Sequence, residues 1–240
     1  SPSIQLKSSK ILCEGVNNSV ILDAGIIPPA IENDYSYLWN TNETSATIRV
    51  NREGNYNLVV KNNFNCTATR NVTVILSKLA RINSLKIKDL QKENQVFIIL
   101  DNPTSYRFKI IFENGTETTF QDEPIFDKVP GGLHQLIIDN KDGCGEINSE
   151  LVILEAPLFF TPNADGYNDF WNLKGTNGTN AIQSTIHIYD RYGKLIKEIN
   201  TSNQGWDGTI NGEPMPADDY WFTVKLEDNR EAKGHFSLKR

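Results

Sequence analysis

Residues 220–226 read Tyr-Trp-Phe-Thr-Val-Lys-Leu and alternate between two kinds of position. Large apolar side chains occupy positions 220, 222, 224 and 226, and the positions between them hold Trp221, Thr223 and Lys225. Successive side chains of a β-strand point to opposite faces, so this pattern predicts a strand with one buried face. No stretch of the chain sustains a helical period. We therefore predict an all-β fold.

The strands around this stretch are separated by tight turns. Residues 186–197 predict a hairpin in which Ile186 and Ile188 face the core and the chain turns at Arg-Tyr-Gly, residues 191–193. Further turns are predicted at residues 206–208, 211–212 and 228–229, where Gly or Asn tolerates a positive φ. A last strand then leads to Arg240. Residues 156–240 are accordingly predicted to form one β domain.

The earlier part of the chain contains an internal repeat with a period of 78 residues. Residues 20–23 align with 98–101, and residues 54–60 align with 132–138. A shared period with matching apolar positions indicates tandem domains. Short strands bounded by turn residues are typical of small β-sandwiches. We therefore predict tandem immunoglobulin-like β-sandwich domains at 1–77 and 78–155, followed by the third domain at 156–240.

The cysteines suggest one disulfide bond. Cys13, Trp39 and Cys66 follow the order of an immunoglobulin-like sandwich, which predicts a Cys13–Cys66 disulfide; two free buried thiols are the alternative. In the second repeat Gln91 occupies the position of Cys13, which leaves Cys144 without a partner in its own domain. Cys144 could be a relic, meaning a buried cysteine that has lost its disulfide partner. The alternatives are a free thiol or an intermolecular link. The relic is favoured because Cys144 and Cys66 fall in the same turn.

Composition limits the classes of function. The net charge is −6, which argues against a nucleic-acid partner, because such proteins usually present a basic face. No apolar run approaches the roughly 18 residues of a membrane span. The chain opens on no secretory signal, yet it is rich in Asn, Thr and Ser with a single Met. We expect it to be the C-terminal part of a longer secreted protein.

The third domain carries a set of motifs that resembles a known family. These motifs are Phe-Thr-Pro-Asn at 160–163, Asp-Gly-Tyr-Asn-Asp at 165–169, Ile-Tyr-Asp-Arg-Tyr-Gly-Lys at 188–194, Gly-Trp-Asp-Gly at 205–208, Asp-Tyr-Trp-Phe at 219–222 and Gly-His-Phe-Ser-Leu-Lys-Arg at 234–240. Together they resemble the type B sorting domain of the type IX secretion system, also called the gliding motility-associated C-terminal domain. Ala164 stands where the family usually has Gly, which is a minor departure. The preceding repeats resemble the immunoglobulin-like modules of large gliding adhesins of Bacteroidota.

This resemblance implies a function in export. It implies recognition by the outer-membrane translocon of the type IX system together with a PorP/SprF-like membrane protein, and an extracellular location on the cell surface. The expected protein is adhesin-like and not an enzyme, because no catalytic constellation is visible in the sequence. The alternative is an adhesive or glycan-binding β-sandwich module.

Two groups of residues are candidate sites. Asn163, Asp165 and Asp169 are spaced like part of an acidic calcium loop, although Asx-type turns explain the same residues without a metal. No other cofactor is expected. For recognition of the secretion partner we expect exposed aromatic and basic side chains to act as anchors. These candidates are Tyr192, Trp221, Lys239 and Arg240.

Overall fold

The computed structural model describes residues 1–91, 93–176, 184–226 and 231–240. It is an all-β structure of tandem immunoglobulin-like sandwiches, with two short 3-10 helices at Glu32–Asp34 and Pro103–Ser105. No helix among these residues is long and apolar enough to cross a membrane. The turn predicted at residues 228–229 lies outside the described residues.

The first repeat consists of two facing sheets. One sheet has the order β1-β6-β5-β3, with β1 parallel to β6, and the other pairs β2 with β4. The core between them includes Trp39, Leu58 and Val72, all almost fully buried. The strand bounds are β1 (Lys7–Glu14), β2 (Val20–Asp23), β3 (Tyr35–Trp39), β4 (Thr47–Val50), β5 (Gly54–Asn62) and β6 (Thr67–Lys78).

A buried arginine ties the two sheets of the first repeat together. Arg70, on β6, is 1% exposed. Its guanidinium donates to the carbonyl oxygens of Gln5 and Asp23 and to the hydroxyl of Ser8, at 2.6 to 3.0 Å, and lies 3.3 Å from the Asp23 carboxylate. Buried charges are tolerated when they are paired and hydrogen-bonded in this way. Arg70 is therefore a polar link inside an otherwise apolar core.

The second repeat again has two sheets, ordered β10-β8-β7 and β12-β11-β9. Its β11 has the bounds of β5 shifted by 78 residues, as the internal repeat predicts. Its first strand differs, because β7 pairs with β8, whereas β1 pairs with the last strand of its repeat. The strand bounds are β7 (Ile82–Lys88), β8 (Gln95–Leu100), β9 (Tyr106–Ile111), β10 (Ile125–Asp127), β11 (Gly132–Asn140) and β12 (Glu146–Ile153).

The third domain is built on a five-stranded sheet with the order β13-β19-β18-β14-β15. The short ribbon of β16 and β17 turns at Asn211 and Gly212, both with positive φ, as predicted. The predicted hairpin is formed by β14 and β15, with a register shift at Ile188. The strand bounds are β13 (Phe159–Phe160), β14 (Thr185–Tyr189), β15 (Leu195–Asn200), β16 (Thr209–Ile210), β17 (Glu213–Pro214), β18 (Asp218–Lys225) and β19 (Glu231–Leu238).

The chain divides into two compact units that do not follow the repeat boundaries. The first contains residues 1–80 and 139–147, and the second contains residues 81–138 and 148–240. The turn between β11 and β12 thus belongs to the same unit as the first repeat, although its sequence belongs to the second repeat.

Glu155 joins the second repeat to the third domain within the second unit. Its carboxylate accepts hydrogen bonds from the Gly131 N–H at 2.7 Å and from Lys174 Nζ at 3.0 Å. Partial burial by itself would raise the pKa of Glu155, but these two hydrogen bonds and the charge of Lys174 outweigh it, so that the pKa lies below its ordinary value. The carboxylate is therefore held ionised at the junction.

The disulfide bond joins Cys13 to Cys144, and the predicted Cys13–Cys66 bond is wrong. Cys13 lies opposite Ser77 in the β1–β6 register, whereas Cys66 directly precedes β6. At about 3.3 Å per strand residue the two thiols of the predicted bond would be roughly 35 Å apart. The interpretation of Cys144 as a buried relic is also wrong, and Cys66 is an exposed free thiol.

Candidate functional site

The inner face of the third domain's sheet is a closed aromatic core. Trp171 stacks on Phe236 with ring centroids 3.8 Å apart, and Trp206 meets Tyr220 edge to face at 5.0 Å. The two tryptophans also exchange backbone hydrogen bonds of 2.9 Å. Each indole N–H is satisfied by a carbonyl oxygen, that of Pro157 for Trp171 and that of Thr209 for Trp206. These tryptophans therefore hold the domain together and are not available to a partner.

Two glycines of the Gly-Trp-Asp-Gly motif allow the chain to approach this core closely. A Cβ at Gly205 would lie 2.6 Å from the Trp171 carbonyl oxygen, and one at Gly208 would lie 2.8 Å from a methyl of Leu238. Both residues also have positive φ. The motif is accordingly explained by packing.

The three calcium candidates lie together in the loop of residues 161–169. One carboxylate oxygen of Asp169 accepts the N–H groups of Asn163 and Ala164, at 3.1 and 2.6 Å, and the other accepts that of Gly166 at 2.8 Å. The pKa of Asp165 lies below its ordinary value because its carboxylate accepts the Tyr167 N–H and the Asn163 amide. The two carboxylates are therefore satisfied by donors of the protein itself, and these hydrogen bonds hold the loop. Calcium binding at this loop stays a prediction.

The outer face of the sheet presents Trp221 near its centre. Trp221 is 41% exposed and lies opposite Tyr189 on β14 and His235 on β19, with the Trp221 and His235 rings 6.2 Å apart. Tyr220 and Phe222, its neighbours on β18, are buried on the opposite face, which confirms the alternation predicted from the sequence. The outer face therefore presents an aromatic group that the core does not use.

Polar side chains surround Trp221 on this face. Ser237 donates to the Asp219 carboxylate at 2.5 Å, the hydroxyls of Tyr189 and Thr223 lie 3.4 Å apart, and His187 lies 3.4 Å from the carboxylate of Glu198. A depression of about 840 Å³ lies on the same face. It is lined by Thr185, His187, Tyr189, Thr223, Val224, Lys225, Glu231, Ala232 and Lys233. An aromatic centre with a polar, mixed-charge rim is the common anatomy of a protein interface.

Tyr192 lies at the tip of the β14–β15 hairpin and is 88% exposed. The turn is held by Asp190, whose carboxylate accepts the N–H groups of Tyr192 and Lys194 at 2.9 Å, and by Gly193 with a φ of 79°. Arg191 pairs with Asp218 at the start of β18. The tyrosine ring is thus displayed on a turn whose backbone is well fixed.

The two C-terminal basic residues contact their own domain. The Lys239 ammonium lies 4.5 Å above the Phe159 ring, and the Arg240 guanidinium donates to the carbonyl oxygens of Gly208 and Met215 at 3.2 Å. These contacts hold the end of the chain against its own domain. The strand that precedes them, β19, lies between β13 and β18 in the sheet. Of the four predicted recognition residues, Trp221 and Tyr192 are the more freely displayed.

The described residues contain no group of three or more His, Cys, Asp or Glu side chains that could hold a metal ion. His134 is buried and accepts the Glu113 N–H at Nδ1, while its Nε2 lies 2.7 Å from the Pro130 carbonyl oxygen. Nε2 therefore carries the proton and donates to that carbonyl. The histidine has a structural role in the second repeat.

Comparison with known families bears on the third domain alone. Residues 154–238 match the family model described as the CHU_C type IX secretion signal domain. This segment is a type IX secretion signal domain. The chain therefore contains the C-terminal sorting region of a secreted protein, directed to the cell surface or the extracellular space. Recognition by the type IX secretion machinery follows from the same match.

Solved structures of similar chain trace come from varied sources. Murine CEACAM1b is 12% identical with a TM-score of 0.41, over 60% of this chain and 95% of that one. The N-terminal domains of the bacteriophage RB49 outer capsid protein Hoc are 10% identical with a TM-score of 0.34, over 100% and 98%. Latent PorU from Porphyromonas gingivalis is 12% identical with a TM-score of 0.26, over 99% and 32%. No curated protein matches the chain.

Sequence reasoning missed several residues that complete the outer face. Tyr189, His235 and Phe159 lie on it with Trp221, but only the pairing of β18 with β14 and β19, and of β13 with β19, brings them together. Alternation along each strand could have assigned every one of these side chains to a face. It could not have given the order of the strands.

Proposed function

We propose that this chain is the C-terminal region of an adhesin-like cell-surface protein of a gliding bacterium of the Bacteroidota. The secretion signal domain is recognised by the outer-membrane translocon of the type IX system with a PorP/SprF-like membrane protein. The immunoglobulin-like repeats act as a stalk, and the region has no catalytic role. The match of residues 154–238 to the secretion signal family carries this proposal.

The recognition surface we propose is the outer face of the five-stranded sheet together with the tip of the β14–β15 hairpin. Trp221 and Tyr192 are its aromatic anchors, because both are exposed on a rigid backbone and neither contributes to the buried core. Aromatic anchors at the centre of an interface commonly account for about 2 kcal/mol or more of binding free energy each. Lys239 and Arg240 support this surface by fixing the chain beyond β19.

Export of a reporter tests the proposal. Residues 154–240 are fused to a periplasm-targeted fluorescent protein in a host that has the type IX system, and the reporter is measured in the medium and on the cell surface. We expect export with the intact domain. Retention in the periplasm, with the fusion folded and the partner protein present, would refute the assignment of a sorting function.

Variants of the same fusion test the surface. We expect Trp221→Ala, alone or with Tyr192→Ser, to reduce export strongly without lowering the melting temperature. A loss of about 2 kcal/mol corresponds to roughly 30-fold weaker binding. Thr223→Ala is the matched control, because Thr223 lies on the same face of the same strand and is not aromatic. Export of the Trp221 variant at the level of the intact domain would place the recognition surface elsewhere.

A further inference from the structure

The last strand of the third domain has one side that is only partly covered. β19 pairs with β18 along its whole length, from Glu231 to Leu238. On its other side β13 pairs only with Ser237 and Leu238. Within the described part of the chain, residues 231–236 of β19 therefore form an edge of the sheet. We call the side of these residues that faces away from β18 the free edge.

Alternate residues of β19 direct their backbone groups toward the free edge. The Ser237 N–H donates to the Leu158 carbonyl oxygen at 2.9 Å, on the β13 side of the strand. In a regular strand the N–H and C=O of one residue point to the same side, and this side alternates from residue to residue. The register of β19 with β18 is continuous, so Lys233 and His235 turn their backbone groups the same way as Ser237. A row of unpaired groups of this kind is a template for a further strand.

A depression of about 700 Å³ lies beside the free edge. Leu90 and Val129 line it on the side of the second repeat, and Leu158, which is 77% exposed, lines it near Ser237. Gly234 lines it on β19, where an added Cβ would lie 2.9 Å from the Phe222 ring. The depression therefore has apolar walls, and β19 sends no side chain into it at Gly234.

Lys233 gives the free edge a positive charge on the outer face of the sheet. Its side chain is exposed. The neighbouring Glu231 pairs with Lys225 at 3.5 Å, and none of the described carboxylates lies within salt-bridge distance of Lys233. A lysine on an edge strand disfavours pairing with an arbitrary apolar strand, whereas opposite charges directly across two strands attract each other. The free edge therefore selects a strand with an acidic residue opposite Lys233.

We propose that the free edge binds an extended segment of the type IX secretion machinery, which joins the sheet as a strand beside β19. The backbone of this segment pairs with Lys233 and His235, and an acidic side chain lies opposite Lys233. The next side chain of the segment points to the other face, is apolar, and enters the depression beside Gly234. In complexes of this kind the main-chain hydrogen bonds provide affinity and the alternating side chains provide specificity. This mode of binding rests on the proposed recognition of the domain by the secretion machinery, and it adds to the contacts of Trp221 and Tyr192.

Hydrogen exchange of the purified full chain tests whether the edge is free. Nuclear magnetic resonance follows the exchange of each amide, and analytical ultracentrifugation gives the oligomeric state of the same sample. We expect the N–H groups of Lys233 and His235 to exchange at least about 100-fold faster than those of Gly234 and Phe236, which face β18. Slow exchange at Lys233 and His235 in a monomer would show that the edge is already paired within the chain. Slow exchange only in a dimer would assign the edge to a second copy, and either result would overturn the proposal.

Export of the full chain, fused behind a periplasm-targeted reporter in a host that has the type IX system, tests the partner. Lys233→Pro removes the N–H that faces the free edge and leaves the N–H groups that face β18. Lys233→Glu retains the N–H and reverses the charge. We expect export to fall about tenfold in Lys233→Pro and about threefold or more in Lys233→Glu. Lys197→Ala should leave export unchanged, because this exposed lysine lies on β15, at the other end of the strand order.

The outcomes separate this proposal from the proposed function. If the unsubstituted fusion is exported and Lys233→Glu is exported equally well, the free edge is not the binding site, whether or not Lys233→Pro folds. An equal loss in Lys197→Ala and Lys233→Glu would show a response to net charge and would also exclude the edge. Retention of the unsubstituted fusion in the periplasm would refute the sorting function itself, and the binding mode with it. The melting temperature of each purified variant shows that the chain remains folded.

Discussion

Replacing Cys144 by serine is the sharpest test of how the two repeats are joined. The Cys13–Cys144 bond closes a loop with a sequence separation of 131 residues. In the chain-entropy description a loop of this length stabilises the folded state by about 5 kcal/mol, and measured values for disulfides are more often about 2 to 4 kcal/mol. We therefore expect Cys144→Ser to lower the free energy of unfolding by about 2 to 5 kcal/mol.

Equilibrium urea denaturation of the full chain, followed by tryptophan fluorescence, measures this loss. Trp39 is buried in the first repeat and reports on its unfolding. Reduction of the wild-type chain with dithiothreitol is expected to reproduce the variant. Cys66→Ser is the matched control, because an exposed free thiol can be replaced with a change within about 0.5 kcal/mol. The reverse result, with Cys66→Ser destabilising and Cys144→Ser neutral, would refute the Cys13–Cys144 bond.

Four further predictions concern single side chains. Trp171→Ala should cost about 3 to 5 kcal/mol in thermal unfolding because it removes a stacked core ring, whereas Trp221→Ala should change stability by less than about 0.5 kcal/mol. Arg70→Ala should cost about 3 kcal/mol, since it leaves buried carbonyl acceptors without donors; a loss below about 1 kcal/mol would contradict this account. The stabilisation from Glu155 should be complete above its ordinary pKa and lost as the pH falls through the lowered pKa, so Glu155→Gln should flatten the dependence of melting temperature on pH below about 5. Asp169→Ala should lower the melting temperature in the presence of a chelator as well as in calcium, because backbone N–H groups lose their acceptor in both; an effect seen only in calcium would assign a metal site.

The faces of the strands could be predicted from the sequence because alternation is a local property. The division of residues 220–226 into a buried and an exposed set follows from the pleat of one strand, and the structure confirms it at Tyr220, Trp221 and Phe222. The hairpin turn at Tyr192 was likewise predicted from local chemistry, since glycine supplies the positive φ that the turn requires.

The disulfide bond could not be predicted because it depends on register and on neighbours far away in sequence. The order Cys-Trp-Cys matched an immunoglobulin-like pattern, but it says nothing of where along a strand each cysteine falls. Cys13 is near the end of β1, and Cys66 directly precedes the beginning of β6. The loss of a cysteine at Gln91 also has a structural explanation: β7 pairs with β8 and ends at Lys88, so Gln91 lies outside any strand.

The Cys13–Cys144 bond has a mechanical consequence for a protein stretched along its chain. A force applied between the two ends is carried by the sulfur–sulfur bond, and the residues between Cys13 and Cys144 bear no tension. The 131 residues of sequence separation correspond to roughly 430 Å of extended chain at about 3.3 Å per residue. That length cannot be released by pulling while the bond is intact. When the disulfide is intact, only residues 1–13 and 144–240 can extend under force. Reduction of the bond allows the residues between the two cysteines to extend as well.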